Sequence, residues 1–196
     1  LVGLGVAAWW YLAGPPGADG QPSEPGSAAV AERSRARPPE VIWDRTYGGA
    51  RIDAARRILP WGKDGFVIAG RTRSKGQGGD DVWLVFTDAD GKETGERLLG
   101  SPDFDWLTTM IRTRDGGLAL TGSRTDRDVT RSSGWLVRLD AKGDELWRRE
   151  FDGGKKDATS GLTALDELPD GGFIAAGTST VNSAGRYDGW ILALDK

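Results

Sequence analysis

The stretch DGGFIAAGTSTVNSAGRYDGWILALD, Asp170 to Asp195, decides how the chain is read. A turn dipeptide opens it, an apolar run ends at Gly177, and a second apolar run carries Trp190. The same phrase occurs twice before, as DGFVIAGRTRSKGQGGDDVWLVFTD (Asp64 to Asp88) and DGGLALTGSRTDRDVTRSSGWLVRLD (Asp115 to Asp140). Its anchors share one ruler. Gly70, Gly122 and Gly177 are spaced by 52 and 55 residues, and so are Trp83, Trp135 and Trp190. Self-similarity at a fixed period is the signature of a repeat architecture, and it outranks any single motif.

A second half-phrase recurs between the copies. WDRTYGGARID (Trp43 to Asp53) matches WRREFDGGKKD (Trp147 to Asp157), and GERLLGSPDFD (Gly95 to Asp105) is a worn copy without the Trp. Each unit therefore holds four strand-like segments. In the first unit these are IWDRTYG, AARRILPW, GFVIAGRT and DVWLVFTD, giving about twelve strands in three units over residues 41–91, 92–143 and 144–196. Val, Ile, Phe, Trp and Thr dominate them, as suits strands. Asp64-Gly65, Asp115-Gly116 and Asp170-Gly171 mark tight hairpins in which Gly supplies the positive φ.

The segment VWLVF is apolar on both faces. Val82, Leu84 and Phe86 point one way, and Trp83 and Val85 point the other. Both faces need cover, yet the connections are too short for crossover helices. Small antiparallel sheets stacked face to face around an axis meet both conditions. The expected fold is all-β: a partial β-propeller of three four-stranded antiparallel blades. Trp43, Trp83, Trp135, Trp147 and Trp190, with Gly70, Gly122 and Gly177, are read as structural repeat positions, and the Trp strands as buried.

The unit resembles the blades of quinoprotein-alcohol-dehydrogenase-like propellers and of related bacterial and archaeal surface repeat proteins. DAKGDELW (Asp140 to Trp147), DGGF (Asp170 to Phe173) and YDGWILALD (Tyr187 to Asp195) carry the resemblance, which covers residues 41–196. Its Asp-x-x-Gly-x-x-x-Trp arrangement is similar to a tryptophan-docking turn, in which the Trp of one blade packs on the next. The resemblance implies a fold and no particular activity. Propellers have four to eight blades, so further blades are expected from additional sequence or from another chain. Alternatively, the segment at Trp43 supplies the last blade with its fourth strand. Three blades close poorly on themselves, so that arrangement needs a partner chain.

Residues 1–14, LVGLGVAAWWYLAG, carry no charge. At about 1.5 Å per residue they span about 21 Å, short of a bilayer core of roughly 30 Å. They read as a signal anchor or the end of a signal peptide, with Trp9, Trp10 and Tyr11 suited to a membrane interface. Residues 15–40 are rich in Pro, Gly, Ser and Ala and read as a disordered linker. The expected location is the cell envelope, outside the cytoplasm, membrane-anchored or secreted.

Composition removes several chemistries from this stretch. The chain has no Cys and no His, which excludes disulfides, thiol catalysis, a Ser-His-Asp triad and His-ligated zinc. A formal net charge of −3 gives no basic footprint for nucleic acid. No cofactor is expected. Asp80, Asp81 and Asp188 precede the Trp strands and are the candidates for paired carboxylates. Ser133 stands where Asp81 and Asp188 do, which favours a turn-ending role. DADG (Asp88 to Gly91) has only the start of a calcium loop.

The three loops between second and third segments fall on one face of such a fold. Arg73, Arg127, Arg131 and Arg186 lie in them and form the candidate binding surface, for a protein or glycan partner. The functional expectation is a non-enzymatic scaffold. The alternative is the propeller part of a carbohydrate-active, endoglucanase-like or quinone-dependent enzyme whose catalytic groups lie elsewhere.

Overall fold

The computed structural model describes residues 38–152, 158–181 and 183–196. The expected anchor at residues 1–14 and most of the linker at 15–40 lie outside the described residues. No helix among the described residues is long and apolar enough to cross a membrane. Those residues form eleven strands and no α-helix. Residues Ile42–Lys196 make up one compact unit.

Sheet I contains β1 (Asp53–Trp61), β2 (Gly65–Thr72), β3 (Asp81–Thr87) and β4 (Glu93–Leu99). Sheet II contains β5 (Phe104–Arg112), β6 (Leu118–Thr125), β7 (Ser132–Leu139) and β8 (Glu145–Phe151). Sheet III contains β9 (Ser160–Glu167), β10 (Phe173–Ser179) and β11 (Asp188–Leu194). Strands pair antiparallel in chain order within each sheet. Sheet II packs between the other two, with β5 against sheet I and β9 against sheet II.

Three expectations need correction. The described residues form eleven strands and not twelve, because sheet III has three among them. The segment IWDRTYG is not a strand, since residues 42–48 have no regular pairing. The units are also out of phase by one strand: the sheets run 53–99, 104–151 and 160–194. The turn after the third strand explains the phase. Asp88 accepts the amides of Asp90 (3.0 Å) and Lys92 (2.8 Å) on Oδ1, and Asp140 does the same for Lys142 (2.8 Å) and Asp144 (2.9 Å). So tight a turn folds the next segment back onto the strand just left. Gly91 (φ 72°) and Gly143 (φ 84°) take the left-handed position it needs.

The repeated glycines have a steric reason. A β-bulge sits at the same place in each sheet, between Ala55 and Arg57, between Leu107 and Thr109, and beside Gly177. It turns an inner-strand carbonyl toward the second strand. A Cβ on Gly70, Gly122 or Gly177 would overlap the carbonyl oxygen of Ala54, Trp106 or Gly161. In the first hairpin the positive φ belongs to Gly62 (61°) and not to Gly65, whose Cβ would overlap the Thr87 carbonyl.

The core lies between the sheets. Val67, Leu84 and Phe86 of sheet I meet Leu107, Leu120, Trp135 and Val137 of sheet II. Ala119 and Leu136, on the other side of sheet II, meet Leu162, Phe173 and Ala175 of sheet III. Each fully buried Leu or Val is worth about 1.5–3 kcal/mol. Polar ties cross the same seams. Arg112 donates to the Pro60 carbonyl (2.7 Å), Thr108 to the Leu162 carbonyl (2.6 Å), and Arg114 to the Leu168 carbonyl (2.8 Å).

Candidate interaction face

The loops β2–β3, β6–β7 and β10–β11 emerge from corresponding ends of their hairpins, as do the β4–β5 and β8–β9 connections. The four arginines from the sequence meet different fates there. Arg73 grips Asp80 with Nε at 3.0 Å and Nη2 at 2.8 Å, and Arg71 adds a third contact at 3.2 Å. The Asp80 side chain is fully buried. A buried carboxylate requires such pairing. The Asp80 hydrogen bond, and then its charge, raises the Arg73 pKa above its ordinary value. Arg73 is thus a loop staple, and Arg71 also stacks over the Trp106 ring at 5.0 Å.

Arg127 donates through Nε to the Pro102 carbonyl at 2.6 Å and joins the β6–β7 loop to the β4–β5 loop. Arg131 is half-exposed, and its guanidinium stands 3.9 Å from Asp152. Arg186 is exposed and makes no hydrogen bond or ion pair among the described residues. The arginines do not converge on one point.

The carboxylate candidates do not form a pair either. Asp81 opens β3 of sheet I with Asp80 in the loop just before it, and Asp188 opens β11 of sheet III, with sheet II between them. Asp81 accepts the Gly78 amide at 3.2 Å, and its other oxygen is buried without a partner. Asp188 accepts the Ala184 amide at 2.7 Å. Asp88, at the head of DADG, is occupied by its own turn, and no cluster of three metal-ligating side chains exists among the described residues.

One charged hollow lies at this face among the loops and strand ends of sheet II. Its volume is about 220 Å³, and Arg124, Arg131, Asp126, Ser133, Glu150 and Asp152 line it. Arg124 is its rigid element. Its Nε lies 3.2 Å from buried Asp105, and its Nη1 bonds Glu150. Asp126 ties the loop: the Thr130 hydroxyl lowers its pKa, burial opposes this, and the Thr130 and Arg131 amides reinforce the lowering. Arg124 was not singled out by its sequence context. It stands where the other units have Thr72 and Ser179, so its departure from the repeat was the available signal.

The Trp positions are structural contacts. Trp83 is 6% exposed and donates to Glu96 at 2.8 Å, with Lys75 over its ring at 4.7 Å. Trp135 is 3% exposed in the seam between sheets I and II. Trp190 is only half-buried, packing edge-on to Phe151 at 6.3 Å. Trp147 packs on Phe173 of the following sheet at 6.0 Å, and Trp43 packs on Phe66 of sheet I at 6.4 Å. No protein-family model matches the chain, and no curated protein matches it in sequence.

Proposed function

We propose that the chain is a segment of a β-propeller acting as a non-enzymatic binding scaffold at the cell envelope, with residues 1–40 as anchor and tether. Three antiparallel sheets packed face to face, with the third strands of sheets I and II each leading into a tight Asp-turn, support the propeller reading. The resemblance to quinoprotein-like and surface repeat blades agrees with it.

The observation that carries the binding role is the hollow at Arg124 and Arg131. Its arginines and carboxylates stand on a packed frame and open among loops. At about 220 Å³ it is smaller than the roughly 300–1,000 Å³ of typical small-molecule sites. It suits one residue of a larger ligand, such as a charged protein side chain or one sugar of a glycan. The carboxylates elsewhere on the face are committed to loop structure and are not paired for acid–base work.

Titration with soluble oligosaccharides and with charged extended peptides tests this reading. Binding is expected for one class, with affinity at least about tenfold weaker in Arg131→Glu and the melting temperature unchanged. Such a loss corresponds to about 1.4 kcal/mol. No binding in either class contradicts the scaffold. Hydrolysis of a β-glucan that is lost in Asp81→Asn or Asp188→Asn establishes the enzyme instead.

A further inference from the structure

Three departures from the repeat meet in one cavity. Arg56 is the bulge residue of β1, and the bulges of β5 and β9 hold Thr108 and Thr163 instead. Arg71, next after Gly70, stands where sheets II and III have Ser123 and Thr178. Trp106 of β5 stands where β1 has Ala54 and β9 has Gly161. Sheet I supplies the two arginines and sheet II the tryptophan. All three line a cavity of about 250 Å³ in the seam between these sheets.

The seam between sheets II and III shows what the repeat does without them. There the Thr108 hydroxyl donates to the Leu162 carbonyl at 2.6 Å, and Ser123 stands 3.4 Å from where a Cβ on Gly161 would be. Small side chains let those sheets close on each other. In the first seam Arg56 is exposed and its side chain makes no hydrogen bond or ion pair among the described residues. Arg71 is held in place. Its guanidinium lies over the Trp106 ring at 5.0 Å, and its Nη1 is 3.2 Å from Asp80, on which Arg73 already forks. One carboxylate thus serves two guanidiniums. Among the described residues no carboxylate lines the cavity, whose remaining wall is Ala54, Ala55, Gly70 and Leu107. An unpartnered cation, a second cation fixed by stacking and an apolar wall suit an anion carried on a ring-sized body.

We propose that this seam binds an acidic sugar. The carboxylate of a uronic acid residue sits between Arg56 and Arg71, and its ring lies against the half-buried indole of Trp106. Guanidinium groups fork onto carboxylate oxygens, and a pyranose ring offers the apolar C–H face that an indole takes. The cavity is larger than a lone carboxylate needs and smaller than the roughly 300–1,000 Å³ of sites for whole small molecules. That is the size for one residue of a longer glycan. An Asp or Glu side chain would satisfy the arginines and leave Trp106 unused. The site shares no lining residue with the hollow at Arg131. It needs sheets I and II alone, and it rests on neither the scaffold nor the propeller reading.

Isothermal titration of the full chain with a galacturonic acid trimer, its methyl ester and a glutamate tripeptide tests this. The acid trimer is expected to bind, with the ester and the tripeptide each weaker by about tenfold or more. Arg56→Thr installs the repeat residue at an exposed position. It should weaken the trimer by about tenfold or more and leave the melting temperature unchanged. Trp106→Leu should bring trimer binding down to the level of the tripeptide, and Arg131→Glu should leave it as in wild type. A trimer that does not bind overturns the proposal, as does an ester that binds as well as the acid or an Arg56→Thr without effect. A tripeptide that matches the trimer overturns the sugar in favour of an acidic peptide. Loss of trimer binding in Arg131→Glu but not in Arg56→Thr refutes the seam site and leaves the scaffold reading standing.

Discussion

Sheets II and III were written from the same phrase and live in different surroundings. Sheet II is covered on both faces, and every residue of β7 from Gly134 to Leu139 is buried. Sheet III is covered on one face, and its matching strand β11 contains no buried residue. The contrast appears within single repeat positions. A Cβ on Gly134 would come within 2.9 Å of Leu162, whereas one on Gly189 would meet nothing. Repeat identity sets which way a side chain points; a neighbouring sheet sets whether it is buried. The difference therefore separates what a unit does for itself from what it does only in a stack.

The largest effects should ignore this contrast. Gly122 in sheet II and Gly177 in sheet III both face a carbonyl of their own inner strand. Gly122→Ala and Gly177→Ala are each expected to cost about 3 kcal/mol or more, at the top of the range for overpacking against an unyielding neighbour. Chemical denaturation of both variants checks this. Gly95→Ala, where a Cβ meets nothing within 4 Å, is the control and should be close to neutral. A mild Gly177→Ala would mean that sheet III does not hold its bulge as sheet II does.

A smaller effect concerns sheet I, at the end opposite sheet III. Burial raises the Asp53 pKa, but hydrogen bonds from Thr72, Ser74 and the Gly49 amide outweigh it and bring the value to about 2. The folded value lies below the ordinary carboxylate value of about 3.9. Its stabilisation is therefore complete above pH of about 4 and is lost as the pH falls toward 2. Asp53→Asn should lower stability at neutral pH, and the deficit against wild type should shrink between pH of about 4 and 2. Acid titration of the melting temperature reads this directly. A constant deficit across that window would show that the Asp53 charge does not hold the segment at Gly49.

Much of the fold was legible because the strands carry their constraint in plain view. VWLVF and GWLVRL leave no face for water, and Asp-Gly turns set the hairpins. The phase of the units was not legible. Trp43 and Trp147 read alike, but a strand exists only where a neighbour accepts its hydrogen bonds, and only Trp147 has one. The candidate face was less legible. Arg73 reads as a free loop cation until Asp80, seven residues on, folds under it. Arg124 is hidden by the repeat, because recurring positions carry the fold, whereas Arg124 breaks the pattern set by Thr72 and Ser179.

Leu136 and Ile191 test most directly that the chain is a stack of equivalent sheets with an uncovered end. They hold one repeat position, fully buried in sheet II and 70% exposed in sheet III. Thermal unfolding of Leu136→Ala and Ile191→Ala should be compared at dilutions where melting no longer depends on concentration. Leu136→Ala is predicted to cost about 2–5 kcal/mol, as for a Leu removed from a closed core. Ile191→Ala should stay within about 0.5 kcal/mol of wild type. Equal losses in the two variants would contradict the stack, because Ile191 would then be covered within a single chain.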